Sequence, residues 1–354
     1  MTGFPRPDYA ALTRYDPQRS PVAIDLSDNT NLWGTPPAAL EVVRSADRDA
    51  LARYPTLYAD ALRDEVAQAF DLDPTCVTTG VGSDDVLDSA WRAAYRPGAS
   101  VAFPAPTFSM IEPFCVMNGL RADPIPWHEA EDDPGRLLAG DPALVYVCRP
   151  NNPTGSLLPD SWLDELLDTR GADGPLVLVD EAYADFAGVS WLPRASRESN
   201  MLVARTFSKA YGLAGLRCGF AVGRPDVVLA VDKSRGPYKL ASLAVRAAAA
   251  ALRDEDGWVR NSIAEARASR DRFCSELEAR GVPFLPSSAN FVLLAAPDGD
   301  AGEAAVRLRA EGVGVRPFTD VPVLGEGIRV TVGPWALMQS FLEAFDRIRS
   351  EDEG

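Results

Sequence analysis

The chain has 354 residues, 46% of them hydrophobic, and a formal net charge of −16. That length buries a large core with room for a smaller companion domain, and the acidic balance argues against non-specific nucleic-acid binding or docking on an anionic membrane. The five cysteines include no C-x-x-C pair and His128 is the single histidine, so neither a disulfide framework nor a metal site is expected, and the thiols suit a reducing cytoplasm.

The first predicted strand, 76–79, runs into Thr79-Gly80-Val81-Gly82-Ser83-Asp84-Asp85, a glycine loop opening a helix that continues through Trp91. Backbone N–H groups at a helix start favour a phosphate, and Ser83 and Asp84 are the first to offer them; alone, such a turn is weak evidence. A second strand, 100–103, leads to Pro104-Ala105-Pro106-Thr107-Phe108, where Phe108 is a candidate to stack on a planar ring or, equally, a core aromatic. The strand 144–148 ends in Arg149-Pro150-Asn151-Asn152-Pro153-Thr154-Gly155, a rigid turn able to aim the Asn152 amide at a ligand oxygen.

The apolar run 176–179 ends in Asp180-Glu181-Ala182-Tyr183. If a pyridine ring lies in the crevice, Asp180 can hold its nitrogen protonated as an electron sink and Tyr183 can hydrogen-bond the ring hydroxyl; the competing reading is an N-cap aspartate. The strand 201–204 delivers Thr206-Phe207-Ser208-Lys209, followed by Arg217. A lysine so placed can condense with an aldehyde while neighbouring hydroxyls and a guanidinium hold a phosphate, although an isolated Ser-Lys pair is usually an ordinary loop. A strand at 218–222 completes six candidates. Several are near-continuous in Val, Leu and Ala, and together they indicate an α/β fold with a mainly parallel sheet whose ligands collect at the carboxyl ends. After a helix at 241–252 the pattern changes: a long helix through 260–280, the strand 290–294, another helix and the strand 327–332 suggest a smaller α+β domain. The expected division is 1–38 as an N-terminal segment joining the small domain, 39–240 as the large domain and 241–354 as the small one.

Taken together these ordered motifs resemble the fold-type I, class I/II aminotransferases, and within them the histidinol-phosphate aminotransferase family. The similarity extends from Asp28-Asn29-Thr30-Asn31-Leu32-Trp33-Gly34 through Arg53-Tyr54-Pro55 to Gly327-Ile328-Arg329-Val330-Thr331-Val332-Gly333. It implies a seven-stranded, mainly parallel sheet flanked by helices, and pyridoxal 5'-phosphate as cofactor. By resemblance, Lys209 is the Schiff-base lysine, Asp180 the pyridinium partner, and Asn152 and Tyr183 the ring-oxygen contacts. Ser83, Asp84, Thr206, Ser208 and Arg217 would surround the cofactor phosphate, and a homodimer would bring Tyr54 to the neighbouring subunit's site. Arg329 and Arg316 match substrate-side arginines, and two guanidiniums suit a phosphate monoester.

Three departures bear on the substrate. Asn29-Thr30-Asn31-Leu32 stands where the family usually has Asn-Glu-Asn-Pro, Trp33 replaces the usual tyrosine, and Lys239 stands where an asparagine is common. Asn31, Trp33 and Lys239 are therefore candidate substrate contacts. The implied reaction is ping-pong transfer of an amino group from histidinol phosphate or a related amino acid to 2-oxoglutarate. An aromatic amino acid aminotransferase and a threonine-phosphate decarboxylase-like lyase are the alternatives, and no nucleic-acid or membrane partner is expected.

Overall fold

Apolar residues on both faces of most central strands demand cover on both sides, and the chain supplies it. In the computed structural model, which describes residues 4–14 and 21–350, the strands in chain order are β1 (Ile24–Asp25), β2 (Val77–Gly80), β3 (Ser100–Ala105), β4 (Arg121–Pro126), β5 (Leu144–Cys148), β6 (Leu176–Asp180), β7 (Met201–Thr206), β8 (Gly219–Gly223), β9 (Phe291–Ala295), β10 (Val313–Gly314), β11 (Arg316–Val321) and β12 (Gly325–Thr331). Seven form one sheet in the order β2-β8-β7-β6-β5-β3-β4, in which β8 alone runs antiparallel to its neighbours. The carboxyl ends of β2, β5, β6 and β7 therefore share one edge of the sheet, where open α/β sheets take ligands.

Period-two alternation divides the core between the faces of this sheet. Val145, Val147, Val177, Val179 and Val203 join one buried cluster; Leu144, Tyr146, Cys148, Leu178, Leu202 and Ala204 join the other. The strand missing from the six read in the sequence is β4, Arg-Ala-Asp-Pro-Ile-Pro. Its two prolines and partly exposed face suit the sheet edge, where a missing N–H costs no ladder bond.

A second core gathers Leu26 with Phe273, Leu277 and residues from 282 to 348, over the antiparallel sheet β11-β12-β9. The N-terminal segment enters it through β1, which pairs in parallel with β10, Ile24 opposite Val313. Beyond residue 240 the chain passes from the large core to the second one within a helix. Helix Ser242–Arg253 buries its alanines in the large core, and the next helix, Trp258–Ala279, carries Val259 and Ala266 there but Phe273 and Leu277 in the second core. Small alanines let that first helix lie close against Pro37–Arg44 and Asp60–Phe70, which keeps it on the large core. Among the described residues no helix is long and apolar enough to cross a membrane.

Candidate active site

A cavity opens at the shared edge of the sheet, and β5, β6 and β7 deliver its floor. Cys148 and Asp180 are register partners, and Thr206 lies opposite Gly219 on β8. Asp180 is buried and accepts hydrogen bonds from the Tyr146 hydroxyl at 2.9 Å and the Ala182 amide at 3.0 Å. Burial pushes its pKa up to about 6, while those two bonds pull the other way by favouring the anion. A carboxylate so held suits a cationic ring nitrogen, whose charge would offset the desolvation.

Lys209 follows β7 by three residues and is half-buried, its open side lining the cavity. Its Nζ donates to the Asp28 carbonyl at 2.9 Å and lies 5.7 Å from the centre of the Tyr183 ring. Burial first, then the nearby Arg329 charge, lowers its pKa to about 8. The chain has three lysines, and Lys233 is exposed while Lys239 lies outside the cavity, so Lys209 is the lysine whose amine the cavity presents to a ligand.

At one end, helix Gly82–Ala94 begins with Ser83 and Asp84 on the cavity wall, beside Thr206, Ser208 and Arg217. Arg217 reaches Ser208 Oγ at 3.4 Å and Asp84 Oδ2 at 3.3 Å. Packing here is tight: a Cβ on Gly219 would sit 2.5 Å from the Gly82 carbonyl carbon and the Ser83 nitrogen. Hydroxyls, a guanidinium and helix-start amides form a donor set matched to a phosphate dianion.

The other end is built from the second core and the N-terminal segment. Arg316 and Arg329 are cross-strand partners on β11 and β12, and both line the cavity with Phe318. Arg329 donates to the Ser27 carbonyl at 2.7 Å and to Asn152 Oδ1. Asn29, left-handed at φ 56°, donates to the Tyr183 hydroxyl at 3.1 Å, and its backbone amide donates to Thr331 Oγ1 at 2.9 Å. Asparagine tolerates that backbone region, and its side chain ties the N-terminal segment to both cores. Burial pushes the Tyr183 hydroxyl well above the usual tyrosine range, so it remains a proton donor.

Of the residues read as site residues, the cavity brings together Ser83, Asp84, Phe108, Asn152, Asp180, Tyr183, Thr206, Ser208, Lys209, Arg217, Arg316 and Arg329. Four others lie off its walls. Asn31 donates to the Ala210 carbonyl at 2.9 Å and receives the Trp33 amide at 3.0 Å, closing a local turn. Trp33 packs between the two cores, Lys239 pairs with Asp85, and Tyr54 is 86% exposed. Reading the sequence missed Tyr146, Asn29, Asp28 and Phe318; parity along β5 was the available signal for Tyr146, since it shares a face with Cys148.

A buried carboxylate facing a depressed-pKa lysine across a cavity with a phosphate cradle fits pyridoxal phosphate, and defines an enzyme that uses it. The chain belongs to the class I and II aminotransferases: that family's model, "Aminotransferase class I and II", matches residues 21–345. It is similar to the histidinol-phosphate aminotransferase of Aromatoleum aromaticum, 36% identical over 346 residues, 94% of this chain and 95% of that one. Its identity to the Gluconacetobacter diazotrophicus protein of the same name is 36% over 343 residues, 94% of each. The structure of histidinol-phosphate aminotransferase from Sinorhizobium meliloti in complex with pyridoxal-5'-phosphate superposes with a TM-score of 0.86 at 26% identity, covering 99% of this chain and 98% of that one. The chain is thus a pyridoxal-phosphate aminotransferase of the histidinol-phosphate aminotransferase type.

Proposed function

We propose that the enzyme takes the amino group of histidinol phosphate, or of a close phosphorylated analogue, and passes it to 2-oxoglutarate in a ping-pong cycle serving histidine biosynthesis. The observation that carries the substrate class is the Arg316–Arg329 pair, adjacent across β11 and β12 at the cavity end away from the cofactor-phosphate cradle. Two guanidinium forks match the oxygens of a phosphate monoester, or of an oxo acid's carboxylate in the second half-reaction. The buried thiols Cys76, Cys115, Cys148 and Cys218 support a cytoplasmic setting. The working unit is a homodimer in which exposed Tyr54 reaches the neighbouring site.

Bound pyridoxal phosphate supplies an aldehyde that captures amines and a cationic ring that accepts the electron pair left when the substrate Cα–H bond breaks. Asp180 would keep a proton on the ring nitrogen, and the Tyr146 hydroxyl and Ala182 amide favour its anion and aim it. Tyr183 and Asn152, both on the cavity wall, would hold the ring at its oxygen. Lys209 Nζ, with its lowered pKa, would take the proton from the substrate carbon as base and give it up again as acid. Arg329, held by Ser27 and Asn152, fixes the anionic group of the substrate.

A half-reaction panel read at the cofactor's visible absorption band tests the substrate class. Histidinol phosphate is expected to discharge the band fastest and 2-oxoglutarate to restore it. Faster discharge by phenylalanine would assign an aromatic aminotransferase, and carbon dioxide release from a phosphorylated amino acid without amino exchange would assign a decarboxylase.

A further inference from the structure

Lys239, a candidate substrate cation in the sequence, lies beside the phosphate cradle rather than within the cavity. Its Nζ meets Asp85 Oδ1, with the two side chains only 23% and 14% exposed. The other carboxylate oxygen, Oδ2, accepts the Val81 amide at 3.0 Å. Val81 sits between the two glycines of the loop that starts helix Gly82–Ala94, and Asp85 follows Ser83 and Asp84 in its first turn. The same short segment grips the preceding strand: Arg235 donates to the Thr79 carbonyl and, at 3.3 Å, to Thr79 Oγ1. Farther out, the Tyr238 amide donates to the Leu57 carbonyl at 3.1 Å. Lys239, Asp85 and Arg235 all lie off the cavity lining.

We propose that Lys239 and Asp85 are positioning residues for the cofactor phosphate: their ion pair fixes the Val81 amide and holds the first helical turn so that Ser83 faces the phosphate. The idea rests on reading Ser83, Thr206, Ser208 and Arg217 as the phosphate end of the site. A mostly buried, hydrogen-bonded pair has the rigidity to do this, because breaking either partner leaves the other charge without compensation. Simple Coulomb reasoning predicts the opposite sign for one variant. Removing the Asp85 charge near a phosphate dianion should tighten binding if charge alone mattered, and should loosen it if the pair acts as a clamp.

The test compares apoprotein binding of pyridoxal phosphate and of phosphate-free pyridoxal by the wild type, Asp85→Ala, Lys239→Met and the double variant. Each single substitution is expected to weaken pyridoxal phosphate about tenfold and the double to be no weaker than the worse single, the signature of one coupled unit. Pyridoxal, which keeps the aldehyde and ring contacts and lacks only the phosphate, should bind all four proteins alike, which also reports that they fold. Lys239→Arg should restore most of the loss. Tighter binding by Asp85→Ala, equal losses for both cofactor forms, or four wild-type affinities would overturn the clamp. A wild type that binds both forms equally would overturn the phosphate end itself, and the clamp with it.

Discussion

Lys209 lies where its ordinary pKa of 10.5 cannot persist: burial and the Arg329 charge favour the neutral amine, opposed by Asp28 and Asp84, and the balance falls at about 8. The neutral form is the nucleophile, and a lowered pKa makes it plentiful from about pH 8 upward. Capture of pyridoxal phosphate by the apoprotein should therefore quicken as pH rises through 8 and level off above it. Stopped-flow capture rates that keep climbing to the ordinary lysine range would contradict this. Asp180 has the opposite arithmetic. Its useful form is the anion, burial raises its pKa to about 6, and the Tyr146 hydroxyl holds it down. Tyr146→Phe should push it higher, so that cofactor affinity falls about tenfold and its acid-side decline moves to higher pH. An affinity-versus-pH curve superimposable on the wild type would show that the hydroxyl has no such role.

At the scale of elements, the strand ends and the turns after them were legible because each short motif is contiguous: Thr206 to Lys209 after β7, and Asp180 to Tyr183 after β6, announce themselves by an apolar run that stops at polar side chains. What escaped were contacts between distant parts of the chain. Asn29 meets Tyr183, and Lys239 meets Asp85, across 154 residues each, and no local pattern encodes a partner so remote. Edge strand β4 escaped because its prolines and exposed face violate the pattern of a buried strand. The close approach of β8 to the helix start was equally hidden, since glycine at 219 reads as mere strand weakness until the Ser83 nitrogen is found where its Cβ would lie. Gly219→Ala should displace that helix start, costing about 1–3 kcal/mol of stability and a larger share of cofactor affinity. Thermal unfolding of the apoprotein and cofactor titration measure the two losses; a variant unchanged in both would remove backbone approach as the reason for glycine there.

Over the whole molecule, a chain with a net charge of −16 gathers Lys209, Arg217, Arg316 and Arg329 around one cavity that Asp28, Asp84 and Asp180 also line, so an anionic ligand must be held by individual guanidiniums rather than by the charge of the molecule. Tyr54 stands outside that cavity, 86% exposed and 5.2 Å from the Tyr238 ring. If the sites are shared, mixing Lys209→Ala chains with Tyr54→Ala chains should yield more activity than the mean of the two parents, because one site in each mixed dimer regains both residues. A mixture equal to that mean would mean that each chain works alone.

The proposed chemistry needs one amine, Lys209, in the same cavity as one buried carboxylate, Asp180, and the chain's scarcity of lysine makes the covalent attachment directly measurable. Borohydride reduction of the protein loaded with pyridoxal phosphate, followed by peptide mapping, should place the covalent adduct on the peptide that carries Lys209. An adduct on Lys233 or Lys239, or no adduct at all, would contradict it.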